Sequence, residues 1–301
     1  MDKEFKFLNK FRIVSLIALV VFCFAIGEMT AILLTGLIYN VNYIQVFEMI
    51  KEPSHANRSV LILLSCFSTL FRFMIIPSLY LLLTDKTSLR FFWISGKVRF
   101  TPMLLTIMVV LTLLPVTSIL IDLNYRLEFP NWLSEVEAYF KNGEEKAYHL
   151  TSHLLVFREP KDLTIVILIV AIIPGIAEEF LFRGIVQSQL QNILKNRHYA
   201  ILFSAALFSF FHFQIYGFIP RMVLGMLLGY IFYWSKNIWY PVIMHITNNL
   251  IGVLGFYFLG SKITPDSGNS MTILLMFPSV VVSVLMILNL KRILTSIAIA
   301  K

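Results

Sequence analysis

Two acidic residues stand side by side in an apolar stretch: Glu178 and Glu179, within Ile172-Ile173-Pro174-Gly175-Ile176-Ala177-Glu178-Glu179-Phe180-Leu181-Phe182-Arg183-Gly184. A carboxylate at bilayer depth costs at least about 2.5 kcal/mol on the most lenient scale, so an intramembrane pair marks a functional site by default. Arg183 follows Glu179 by four residues, one helical turn further on the same face. The arginine therefore neutralises Glu179, and Glu178 is left free for chemistry. Two more pairs share that spacing: Phe208 with His212, and His245 with Asn249. One acid, two histidines and a carboxamide converging in a dry site make a hydrolytic set. Glutamate serves as general base toward water, and histidine and asparagine donors stabilise an oxyanion.

The elements that must position these groups are membrane helices. The chain of 301 residues is 58% hydrophobic and 14% charged. Soluble domains run near 45–50% apolar and about 25% charged. This composition predicts an all-α protein, a polytopic transmembrane helical bundle. With about 20 apolar residues needed per crossing, the candidate spans are 13–39, 59–84, 102–122, 162–188, 199–213, 216–234, 238–260 and 271–290. The fifth is short.

Basic residues gather at alternate ends: Lys3, Lys6, Lys10 and Arg12; Lys86, Arg90, Lys97 and Arg99; Lys195 and Arg197; Lys236; Lys291 and Arg292. The positive-inside rule then predicts about eight spans with both termini inside, N-in and C-in. It also explains the net charge of +8 without nucleic acid. The N-terminal apolar run is too long for a signal-peptide core and reads as a retained span. Cys23 and Cys66 lie in apolar segments and suggest no disulfide framework.

Four regions follow: N-terminal transmembrane helices over 1–122, an outer loop over 123–161, a catalytic helical core over 162–260, and a last helix with a basic tail over 261–301. In the outer loop Trp132, Leu133, Val136, Tyr139 and Phe140 recur at helical spacing between Glu135, Glu137 and Lys141. That pattern predicts an amphipathic helix in the membrane interface, as an anchor or as a gate for substrate. Pro174-Gly175 predicts a backbone irregularity and a close helix approach just before the acids. Glu28 and Arg72 are expected to form a structural ion pair near the midplane. His149 and His153 have metal-compatible spacing but no acid in register, so no metal is expected there.

The set Glu178-Glu179-x-x-x-Arg183-Gly184, Phe208-x-x-x-His212 and His245-x-x-x-Asn249 resembles the CPBP family, the CAAX proteases and bacteriocin-processing enzymes also called Abi proteins. The tract from Asn237 to His245 resembles the lead-in to that family's last motif. Gly225-x-x-x-Gly229 sits where the family has a small-residue helix interface. The likeness covers about residues 165–255, three motifs in order on separate spans.

It implies an intramembrane endopeptidase in the cell membrane. Glu178 would activate water with His212, His245 and Asn249 would hold the oxyanion, and Glu179 and Arg183 would order the site. The implied partners are a peptide or protein substrate in or beside the bilayer, and the bilayer itself. No cofactor is expected. Zinc on Glu178, His212 and His245 is the alternative, although the H-E-x-x-H pattern is absent. A non-proteolytic scaffold or sensor of the same fold is the other alternative. A transporter would show repeat symmetry, and the chain has none.

Overall fold

The computed structural model describes residues 12–54, 56–84, 96–126, 129–260 and 270–299. Every regular element among these residues is a helix. In hydrocarbon this is forced, because a helix satisfies its own backbone donors and acceptors. In chain order the α-helices are α1 (Arg12–Tyr39), α2 (Tyr43–Lys51), α3 (Arg58–Leu70), α4 (Ile76–Thr84) and α5 (Phe100–Tyr125). They continue with α6 (Ser134–Leu154), α7 (Pro160–Val166), α8 (Ile173–Glu179), α9 (Ser188–Leu194), α10 (Arg197–Phe210), α11 (Phe218–Ser235), α12 (Trp239–Leu259) and α13 (Ser270–Ile299). Wide π-helical turns join α3 to α4 (Phe71–Ile75), α7 to α8 (Ile167–Ile172) and α8 to α9 (Phe180–Gln187). The chain is an integral membrane protein. The basic clusters at Lys3, Lys6, Lys10, Lys86 and Arg90 lie outside the described residues.

Seven helical stretches among the described residues are long and apolar enough to cross a membrane. The segment expected at 199–213 is the exception. Its helix, α10, has 14 residues and reaches about 21 Å at 1.5 Å per residue, short of a hydrocarbon core of about 30 Å. It pairs with α11 as a hairpin, and the hairpin's turn, 211–217, is held by protein groups. Asn124 Nδ2 donates to the Ile215 carbonyl at 2.9 Å, and the Tyr216 N–H donates to Glu144 at 2.7 Å. The Arg221 guanidinium donates to the Gln214 side chain and carbonyl. Irregular backbone at membrane depth survives only when protein satisfies it in this way.

The outer-loop helix is α6. Trp132, in the short turn before it, and Tyr139 are 80% and 75% exposed, and Phe140 is half-buried. Glu137 and Glu144 face the hairpin: the Tyr216 hydroxyl donates to Glu137 at 3.3 Å, beside the Glu144 contact, while Glu135 and Glu145 are exposed. Burial pushes the Glu144 carboxyl above its ordinary range.

Because lipid tails are as apolar as leucine, helices here associate through close packing and polar contacts rather than by escape from water. One core joins α5, α11, α12 and α13 through Val109, Leu228, Met244 and Leu290. Another surrounds the acids with Phe73, Ala177, Phe180, Phe182 and Phe208. Arg72 meets Glu28 at 3.4 Å, as the sequence predicts, and Gly27 makes room for it: a Cβ there would stand 2.7 Å from the Arg72 nitrogen.

Neutralising either Glu28 or Arg72 should lower the melting temperature in detergent, by less than the about 3–5 kcal/mol of a fully buried pair. Replacing both with apolar residues should recover much of that loss, since no charge is left unpaired. Additive losses in the double variant would show that the two side chains are not coupled.

Candidate active site

Glu178 and Glu179 end α8 where the α-helical winding opens into the π-helical stretch Phe180–Gln187. π turns are often found at functional sites, because the extra residue redirects side chains. Here the Arg183 carbonyl takes a hydroxyl from Ser188 at 3.0 Å, five residues on. The expected irregularity around Pro174-Gly175 is present as π winding on both sides of a seven-residue α8.

Gly175 brings the other half of the site. A Cβ on it would lie 2.6 Å from Ile246 Cγ1 and 3.1 Å from the Ile246 nitrogen. The backbone of α12 therefore crosses α8 at this glycine. That crossing delivers His245, the neighbour of Ile246, to the acids.

The two glutamates then differ sharply. Glu179 is fully buried and its Oε1 accepts twice, from Arg183 Nη1 at 2.9 Å and from His245 Nδ1 at 2.8 Å. A carboxylate can only accept here, so Nδ1 of His245 carries the proton. Glu178 has no hydrogen-bonding partner for its buried Oε2, which faces His245 Nε2 at 3.8 Å. That distance is beyond a hydrogen bond. Oε2 of Glu179 is likewise without a partner, and the pairing of Arg183 with Glu179 expected from their spacing is present.

Arg183 is itself secured from α11. Its Nη2 donates to the Gly225 carbonyl at 3.0 Å, and Gln187 Nε2, one step further along, donates to the Gly229 carbonyl at 3.0 Å. Gly229 makes room for this approach, since an added Cβ would stand 2.7 Å from Gln187, whereas Gly225 faces α10, where an added Cβ would meet Ala205 at 3.1 Å. The Gly225-x-x-x-Gly229 interface is thus a hydrogen-bonded zipper to the site helix. Gln187 is absent from the motifs that the sequence presents. A carboxamide four residues after Arg183, matching the spacing of the two glycines, is the signal that could have found it.

Phe208, 2% exposed, is the hub of the site. The Arg183 guanidinium lies 4.9 Å from its ring centroid, and the rings of His212 and His245 lie 5.1 and 5.7 Å away. His212 follows α10 in the hairpin turn, and its Nδ1 donates to the Phe208 carbonyl at 2.9 Å. Its Nε2 is then the unprotonated nitrogen when the ring is neutral. Asn249 lies one turn beyond His245 on α12 and accepts a long 3.5 Å contact from Asn248. Glu178, Glu179, Arg183 and His245 are therefore in one cluster, His212 joins it through Phe208, and Asn249 extends it along α12.

Residues 160–251 match the family model described as type II CAAX prenyl endopeptidase Rce1-like. Over that stretch the chain is similar to the CAAX protease family. The matched stretch runs from α7 into α12 and contains every residue of the cluster. No curated protein and no solved structure matches the chain. The helices α1, α3, α4, α5 and α13 lie outside the matched stretch and pack around it.

Proposed function

We propose that the protein is an endopeptidase that hydrolyses peptide bonds inside the membrane with a water activated by Glu178. The observation that carries this reading is the unpartnered Oε2 of Glu178, buried 3.8 Å from His245 Nε2, while Oε1 of its neighbour Glu179 accepts from both Arg183 and His245. A costly carboxylate is kept without a structural partner, in a core of the CAAX protease family.

In the reaction, Glu178 takes a proton from water as the oxygen attacks the scissile carbonyl carbon. The carbonyl π electrons move to oxygen and form the oxyanion. Nε2 of His212, with its lone pair, accepts a hydrogen bond from the same water and orients it. His245 acts as an imidazolium: Glu179 holds Nδ1–H, and Nε2–H is left to donate to the oxyanion, together with the Asn249 amide. Collapse of the tetrahedral intermediate breaks the C–N bond, and Glu178 returns its proton to the leaving amine. A preorganised donor of this kind is worth about 10²–10³-fold in rate.

The mechanism is metal-free. With His245 Nδ1 committed to Glu179, the donors left are His245 Nε2, Glu178 and His212 Nε2, the last meeting the cluster across the Phe208 ring. Among the described residues no three His, Cys, Asp or Glu side chains form a group able to hold an ion. The residues do not fit a three-ligand zinc site. Substrates are peptides or proteins in or beside the cell membrane, prenylated at a CAAX sequence as the matched family's description suggests. With both termini inside, α6 lies on the outer face as an interfacial helix.

The test is cleavage of a fluorescent peptide ending in a prenylated Cys-aliphatic-aliphatic-X sequence by purified protein in lipid nanodiscs. Cleavage should proceed, and a strong chelator should change the rate less than about twofold. Stoichiometric zinc lost together with activity on chelation, and restored with it, would overturn the metal-free mechanism.

A further inference from the structure

Arg72 is a charge that the hydrolytic mechanism does not use. It stands in the π turn Phe71–Ile75 between α3 and α4. Its Nε donates to the Ser68 carbonyl at 3.0 Å, and the same nitrogen meets Glu28 at 3.4 Å. Nη1 and Nη2 have no hydrogen-bonding partner among the described residues. The guanidinium lies 5.5 and 5.7 Å from the ring centroids of Phe24 and Phe73. Its side chain is 29% exposed, so a ligand can reach it.

This charge stands beside the site. The π turn carrying Arg72 packs on α8, which ends in the two glutamates, and on the π stretch that follows it. Phe73 touches Phe182 at 6.1 Å, and Phe24 touches Phe211, the neighbour of His212, at 4.3 Å. Arg221, the other cation near His212, has both terminal nitrogens engaged by Gln214.

Guanidinium N–H groups left unpaired in a membrane are costly, and a planar fork of them matches a carboxylate. A lipid phosphate is a poor fit. Arg72 is the fifteenth residue from the start of α3 and lies about 20 Å along the span, whereas phosphates stay at headgroup level. The anion that a peptidase brings to this depth is the end of its substrate.

We propose that Arg72 binds the free C-terminal carboxylate of the substrate peptide, and so sets where that peptide lies in the site. The inference rests on the peptidase reading above and names a positioning residue for it. Arg72 would be a positioning residue, since it touches the substrate away from the reacting atoms. Glu28, which meets the guanidinium at Nε, would hold it in place when no substrate is bound.

The experiment compares two fluorescent peptides of one sequence, ending in a prenylated Cys-aliphatic-aliphatic-X motif, one a free acid and the other a C-terminal amide. Binding is measured on the Glu178→Gln protein, and cleavage on the wild type. The free acid should bind about 10- to 100-fold more tightly, the range of one charge-assisted contact. Cleavage kcat/KM should follow the same ratio. Arg72→Gln should bring the acid down to the level of the amide, and Arg72→Lys should keep part of the preference. A merely structural role for Arg72 would lower both peptides together. Equal binding of acid and amide overturns the proposal even where cleavage occurs, and even where Arg72→Gln fails to fold. Binding of the acid without any cleavage by the wild type would overturn the peptidase reading and leave the carboxylate site standing.

Discussion

Glu178→Gln should reduce peptide cleavage by at least about 10³-fold, within the range that general-base catalysis supplies, while the protein keeps its fold. The amide has the shape of the carboxylate but cannot take a proton from water. Little structure depends on the charge, because the buried Oε2 has no hydrogen bond to lose. Replacing an unpaired buried carboxylate with a neutral amide should leave the melting temperature unchanged or raise it, since the charge is costly at this depth. Single-turnover cleavage in nanodiscs and thermal unfolding in detergent, on the same preparation, give both numbers. Residual turnover above a few per cent of wild type, in a variant that melts normally, would remove Glu178 from the role of base.

The neighbouring substitution should behave in the opposite way. Glu179→Gln should destabilise the fold by about 3–5 kcal/mol, the usual result of stripping one partner from a buried ion pair. Arg183 is 1% exposed and would keep only the Gly225 carbonyl and the Phe208 face as partners. Neither can neutralise it. His245 would lose the carboxylate that fixes its Nδ1 proton, so the folded fraction should be slow as well. Unfolding midpoints and the monodisperse yield after purification measure the first effect. Wild-type stability in this variant would mean that Arg183 is satisfied by groups other than Glu179. The two substitutions thus separate a chemical glutamate from a structural one at adjacent positions.

Contacts between residues close in sequence are legible from spacing alone. Glu179 and Arg183 are four apart, helical periodicity places them together, and the pairing follows from that spacing and from the cost of a bare charge in lipid. The apolar runs mark the helices in the same way, because a bilayer permits little else. Even the choice of Glu178 as the free acid comes from the local partner of its neighbour.

The short reach of α10 is only half visible. The run 199–213 reads as a span, but where a helix stops depends on what satisfies the turn after it. Asn124, Glu144 and Arg221 do so from other segments.

The cross-chain geometry belongs to the tertiary structure. His245 lies 66 residues from Glu179, and no periodicity connects them. Motif resemblance puts His245 at the site, yet only the packing of Gly175 against the backbone of α12 fixes which glutamate its Nδ1 binds. The same holds for Gln187 on the Gly229 carbonyl, and for the unfilled guanidinium of Arg72 beside the acids. Sequence alone determined an all-helical membrane protein and the pairing of Glu179 with Arg183, because local spacing and hydrophobicity govern both. Tertiary structure decided which glutamate His245 binds and which glycine carbonyls Arg183 and Gln187 reach, because that depends on close approaches between helices far apart in the chain.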